Sequence, residues 1–89
     1  MISKPITIIN KLGLHARAAA KFVDLASRFE SHIEVERNGR IINGKSIMGV
    51  MMLAAGKDTE IMLHIKGADE QAAFNKISEL IANKFDEVE

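Results

Sequence analysis

The chain contains no cysteine, which excludes disulfides, thiolate catalysis and cysteine-ligated zinc, and permits a reducing compartment. Tryptophan and tyrosine are also missing, and four phenylalanines are the only aromatic residues. No basic and aromatic stripe that stacks on RNA can be drawn. Neither sign of charge dominates, since 12 Lys and Arg stand against 12 Asp and Glu. That balance argues against an obligate nucleic-acid binder and leaves recognition to local charge. No apolar run is long enough to span a bilayer, and Met1-Ile2-Ser3-Lys4-Pro5 lacks the apolar stretch and cleavage site of a signal peptide. A cytoplasmic location is therefore expected, with no membrane insertion. The histidines His15, His32 and His64 are dispersed, without zinc spacing or paired carboxylates that signal acid–base catalysis. No metal and no cofactor are expected.

What is present is a globular composition, 47% hydrophobic and 27% charged over 89 residues, which fits one small domain spanning 1–89. Ile6 to Asn10 is β-rich and reads as a strand beginning after Pro5. Helical spacing of Ala19, Phe22, Val23, Ala26 and Phe29 predicts a helix from Ala16 to about Phe29, with Lys21, Asp24 and Arg28 on its other face. His32 to Glu36 alternates, placing Ile33 and Val35 on one face. Asn38-Gly39 is a hairpin signal, and Arg40 to Asn43 is the returning strand. Ser46 reads as the N-cap of a short apolar helix over 47–54. Thr59 to Lys66 alternates again, with Ile61, Leu63 and Ile65 inward. Asp69 or its neighbour is expected to cap a long helix with the stripe Ala73, Phe74, Ile77, Leu80, Ile81 and Phe85, and 86–89 to fray. The order β-α-β-β-α-β-α gives an α+β fold, a four-stranded antiparallel sheet with three helices on one face.

The chemistry concentrates in Asn10-Lys11-Leu12-Gly13-Leu14-His15-Ala16-Arg17-Ala18-Ala19-Ala20. There a glycine-containing turn becomes the first turn of a helix, and the unpaired amides and partial positive charge of a helix start favour a bound phosphate. The Ala16 backbone N–H is one such donor, and Arg17 adds a full charge. The same positive field favours neutral, nucleophilic imidazole at His15. The plainer alternative is a histidine that merely begins a helix beside a solvated arginine.

Gly39-Arg40-Ile41-Ile42-Asn43-Gly44-Lys45-Ser46 matches the letters of a nucleotide-binding P-loop. Its first glycine belongs to the hairpin and its middle reads as strand, so the required context fails. His32 and His64 fall on polar strand positions and read as solvated. The helix after Ser46 is apolar on nearly every side. Val50 and Leu53 are assigned to the core, and Ile47, Met48 and Met51 to an exposed patch for a partner.

Leu-Gly-Leu-His-Ala-Arg ahead of Ala-Ala-Ala-Lys-Phe resembles the active-site segment of the HPr family, the histidine-containing phosphocarriers of the bacterial phosphoenolpyruvate-dependent phosphotransferase system. The resemblance continues through Asn38-Gly39, Gly44-Lys45-Ser46, Gly67 and Asp69-Glu70-Gln71. It implies an HPr-like open-faced β-sandwich and a phosphoryl group carried on Nδ1 of His15. It further implies a donor, Enzyme I, and IIA-type acceptors in sugar transport or regulation. Ser46 is either a cap or, as in many members, the target of an HPr serine kinase/phosphorylase. The family usually has proline where this chain has Ala18, which leaves the first helical turn freer to fray. A monomer that carries phosphate rather than a stand-alone enzyme is expected. The alternative is a regulatory protein-binding module of a related nitrogen-type phosphorelay, modulated at Ser46.

Overall fold

The computed structural model describes residues 1–88, and the alternating segments set its layers. The strands are β1 (Ile2–Thr7), β2 (His32–Arg37), β3 (Arg40–Asn43) and β4 (Glu60–Lys66). The helices are α1 (Ala16–Ala26), α2 (Ile47–Met52) and α3 (Glu70–Ala82), the last followed by a 3₁₀ turn, Lys84–Asp86. The strands form one antiparallel sheet in the order β1-β4-β2-β3. Period-two patterning buries Ile33, Val35, Ile61, Leu63 and Ile65 on one face, and the three helices cover that face with Phe22, Val23, Val50, Ile77 and Ile81. Asn38 and Gly39 make the hairpin turn with φ of 52° and 81°.

Several boundaries differ from the sequence reading. β1 spans Ile2–Thr7 instead of 6–10 and contains Pro5. Pro5 is accommodated because β1 is an edge strand that pairs only with β4. Ile8 lies beyond the strand and is buried, its amide donating to Thr59 O at 2.9 Å. α1 stops at Ala26, and Phe29, expected in its stripe, is only half-buried. Its last turns tighten through Arg28 N–H to Leu25 O and Phe29 N–H to Ala26 O. α2 ends at Met52, two residues early, and Thr59 falls outside β4. In α3 the stripe buries Ala73, Ile77 and Ile81, whereas Phe74 and Leu80 are half-buried and Phe85 is buried beyond the helix.

Asp69 occupies the N-cap position of α3 but makes no capping bond. Its carboxylate instead accepts from the amides of Glu30 (2.9 Å) and Ser31 (3.0 Å) and from the Ser31 hydroxyl, which pulls the chain out of α1 and into β2. These bonds, the Ser31 hydroxyl first and the Glu30 amide next, hold the Asp69 carboxyl below its ordinary value. Folded Asp69 binds its proton less tightly than the unfolded chain does. The contact thus stabilises the fold at and above roughly pH 5, and that stability drains away as pH falls through the unfolded and then the folded value. Melting temperatures followed from pH 6 to pH 3 are expected to drop less steeply in Asp69→Asn than in the parent. Parallel curves would remove Asp69 from the acid response.

Asp86 and Glu87, expected to fray, are instead held by a turn and by hydrogen bonds. Lys84, Phe85 and Asp86 all have positive φ, between 55° and 58°, a left-handed turn costing about 1–2 kcal/mol per residue. Burial of Phe85 opposes that cost, and the turn aims Glu87 back at the start of α1. Val88 is fully exposed. Glu89, also expected to fray, lies outside the described residues.

Candidate functional site

The turn before α1 is built on Asn10, which is fully buried. Its Nδ2 donates to Gly13 O at 2.8 Å, while Gly13 N–H donates to Asn10 O at 3.1 Å. Leu14 is buried and its amide donates to Ala55 O at 2.9 Å, which pins the turn to the loop after α2. His15 then takes the N-cap position with extended backbone (φ −72°, ψ 177°) and no side-chain capping bond. The first bond of the helix runs from Ala19 N–H to His15 O at 2.8 Å, so the amides of Ala16, Arg17 and Ala18 precede it. Ala18 is buried in the first helical turn, and the helix begins at Ala16 without the family's proline. Its N–H is a donor that proline would lack.

The His15 side chain is 29% exposed, and its Nε2 meets Glu87 Oε2 in a close hydrogen bond. Glu87 Oε1 accepts from Asn10 Nδ2 at 2.7 Å. A carboxylate only accepts, so in the neutral ring the proton sits on Nε2 and Nδ1 keeps its lone pair. Burial pushes the Glu87 carboxyl up, but hydrogen bonds from Asn10 and His15 and the nearby charges of His15 and Lys21 bring it below its ordinary value. The groove beside the ring is lined by the bases Lys11, Arg17 and Lys21, the acids Asp86 and Glu87, and the apolar Leu12 and Val88. Lys21, on the face of α1 opposite the apolar stripe as its spacing predicts, donates from Nζ to Phe85 O at 2.6 Å. The positive setting expected for His15 is thus offset by two acids, Asp86 and Glu87. Glu87 and Asn10 were not among the sequence candidates, and no local pattern links two residues 77 positions apart.

α2 is a platform fixed at both ends. Ser46 Oγ accepts from Gly49 N–H at 3.1 Å, which is the expected N-cap. At the other end Arg37 donates to Leu53 O (2.8 Å) and Ala54 O (3.0 Å), and Arg40 to Met52 O (3.1 Å). Val50 and Leu53 are buried, and Ile47, Met48 and Met51 are exposed, as expected. Met52 and Leu12 are exposed apolar residues that the sequence reading did not select. A lone leucine between Lys11 and Gly13 in a polar turn was the available signal for Leu12.

The other motifs resolve differently. The segment that spells a P-loop is β3 and its flanking turns, with Gly44 N–H closing the hairpin on Ile33 O at 2.8 Å. His32 is exposed beside Glu34. His64, expected to be solvated, is half-buried between Ser3 Oγ and Glu36 Oε1, each at 2.8 Å. This trio has the order of a nucleophile, base and orienting acid, but it lies across β1, β4 and β2 on the open face of the sheet. The depression beside Glu36 does not include Ser3 or His64, so the trio reads as a tie between three strands. Among the described residues no three His, Asp or Glu side chains are grouped to hold a metal ion, and no helix is long and apolar enough to cross a membrane.

Fold and site together define a small α+β protein that presents a partly exposed histidine at a helix start, in a groove lined by three basic and two acidic side chains. Residues 2–83 match the family model described as PTS HPr component phosphorylation site. The chain is 60% identical to phosphocarrier protein HPr of Pseudomonas aeruginosa over 85 residues, covering 94% of each. It is 54% identical to phosphocarrier protein HPr of Cupriavidus necator, covering all of both chains. The crystal structure of HPr-C-His from Thermoanaerobacter tengcongensis superposes with a TM-score of 0.95 at 44% identity over the whole of both chains. The chain belongs to the HPr family and is a phosphocarrier of the phosphotransferase system.

Proposed function

We propose that His15 is the residue that carries the phosphoryl group, on Nδ1, receiving it from phosphorylated Enzyme I and passing it to IIA-type proteins in the cytoplasm. The observation that supports this most directly is the Glu87 carboxylate on Nε2, which leaves Nδ1 as the nucleophilic nitrogen. In the forward step the donor's bond to phosphorus breaks and its electron pair stays with the donor. The Nδ1 pair forms the new P–N bond, and the onward step reverses this toward the acceptor. Arg17 and the amides of Ala16 to Ala18 supply positioning and charge stabilisation, which are most of what phosphoryl transfer requires. A purely regulatory docking module would leave the arrangement around His15 without a task. Incubation with phosphoenolpyruvate and Enzyme I tests the reading. One acid-labile phosphate per chain is expected, and no incorporation would overturn it.

Ile47, Met48 and Met51 are proposed as the apolar centre of the docking surface, extended by Met52. A carboxylate placed there must be desolvated on binding, which costs more than the roughly 1–3 kcal/mol of a neutral polar group. Met48→Glu or Met51→Glu is therefore expected to weaken Enzyme I binding by about tenfold, with little change in melting temperature because both side chains are exposed. Unchanged affinity with a large loss of stability would place them in the core instead.

Ser46 is proposed as a site for a serine kinase/phosphorylase. Phosphorylation would add roughly −1.5 to −2 charge at the start of α2, where the helix dipole favours it. The helix should tighten, and any inhibition should come from charge beside Ile47 and Met48. Ser46→Asp is expected to melt no lower than the parent and to accept phosphate more slowly, with the deficit shrinking in high salt. Parental rates at all salt concentrations would leave Ser46 a helix cap alone.

A further inference from the structure

We propose that Glu87 is a positioning residue for phosphoryl transfer at His15, holding the ring proton on Nε2 so that Nδ1 presents its lone pair to phosphorus. The role rests on the reading of His15 as the phosphoryl carrier.

The carboxylate is delivered and held by several independent contacts. The left-handed turn of Lys84, Phe85 and Asp86 reverses the chain, buried Phe85 anchors it, and Lys21 Nζ clamps the Phe85 carbonyl. Asn10, itself fully buried and tied to Gly13 O, donates to one carboxylate oxygen while His15 Nε2 donates to the other. Both oxygens are thereby committed, and the ring is fixed in orientation as well as in tautomer. A partner on one imidazole nitrogen decides what the other nitrogen can do. During transfer the proton remains on Nε2 while the Nδ1 pair bonds to phosphorus, so the ring becomes cationic against the Glu87 carboxylate. When the phosphoryl group leaves for the acceptor, the pair returns to Nδ1 and the ring is neutral again. The acid lies at the Nε2 side, and the basic groups of the groove offset its repulsion of the phosphoryl oxygens.

Glu87→Gln is the informative variant because it preserves size and the packing of the turn. A glutamine has one oxygen for two donors. The buried amide of Asn10 claims that oxygen, which turns the glutamine NH₂ toward His15 Nε2 and favours the proton on Nδ1, where it blocks attack. Nitrogen-15 spectra of the imidazole in the intact chain should show the Nε2–H form dominant in the parent and Nδ1–H raised in Glu87→Gln. Phosphate acceptance from Enzyme I should fall about tenfold to a hundredfold, by analogy with the hydrogen-bond partners that orient metal-bound histidines. Glu87→Ala should give mixed tautomers and a lesser loss. A Glu87→Gln chain whose tautomer populations match the parent's, at whatever rate, overturns the positioning role. A parent chain that takes no phosphate at His15 overturns the carrier reading beneath it.

Discussion

His15→Ala is expected to accept no phosphate from Enzyme I while keeping its fold. The ring is partly exposed, sits at the N-cap position without capping the helix, and contacts Glu87 rather than the core. Its removal takes one hydrogen bond from the largely buried Glu87 carboxylate, which keeps its Asn10 partner, and should cost about 1–3 kcal/mol. Neither remaining histidine is placed to substitute. His32 is exposed beside Glu34, and both ring nitrogens of His64 are engaged by Ser3 and Glu36. Circular dichroism should match the parent with only a modestly lower melting temperature, and labelled phosphate should be absent. Incorporation at the parental rate would mean that another residue is the carrier.

Gly13→Ala is expected to damage both stability and transfer. Gly13 has φ of +66°, and a Cβ there would lie 2.5 Å from Ala55 O and 2.7 Å from Gly56 Cα, both backbone atoms. A side chain could yield, but this loop is the one that receives the Leu14 amide. The left-handed conformation costs about 1–3 kcal/mol in a residue with a Cβ, and the forced shift adds about 1–3 kcal/mol more. A loss near 3 kcal/mol should appear as a lower urea midpoint. The shift also moves the turn that carries His15, and misplacement by about 1 Å can cost roughly a hundredfold in rate. A parental urea midpoint would show that the turn and the loop after α2 are not locked together.

Periodicity made most of the architecture legible before any coordinates. Ile33 and Val35, then Ile61, Leu63 and Ile65, alternate because one sheet face is buried, and Ser46 and Asn38-Gly39 mark local structure through their own side chains and backbone. His15, Arg17 and the α2 patch were readable for the same reason, since each belongs to a short segment with its own physical signature. What escaped depends on distant pairing. Asp69 looks like a cap in sequence, but Glu30 and Ser31, 39 and 38 residues away, claim its carboxylate. Pro5 looks like a strand boundary, and only the place of β1 at the sheet edge makes it a strand residue. The acidic tail carries no signal that Phe85 will anchor it or that Glu87 will meet His15 across 72 positions.

His15 alone is expected to carry the phosphoryl group. Fragment-ion mapping of the intact protein, after loading from phosphoenolpyruvate through Enzyme I and under conditions that preserve phosphohistidine, tests it directly. A single phosphate confined to the segment containing His15 is expected. Phosphate on His32, His64 or Ser46 with His15 unmodified would contradict it.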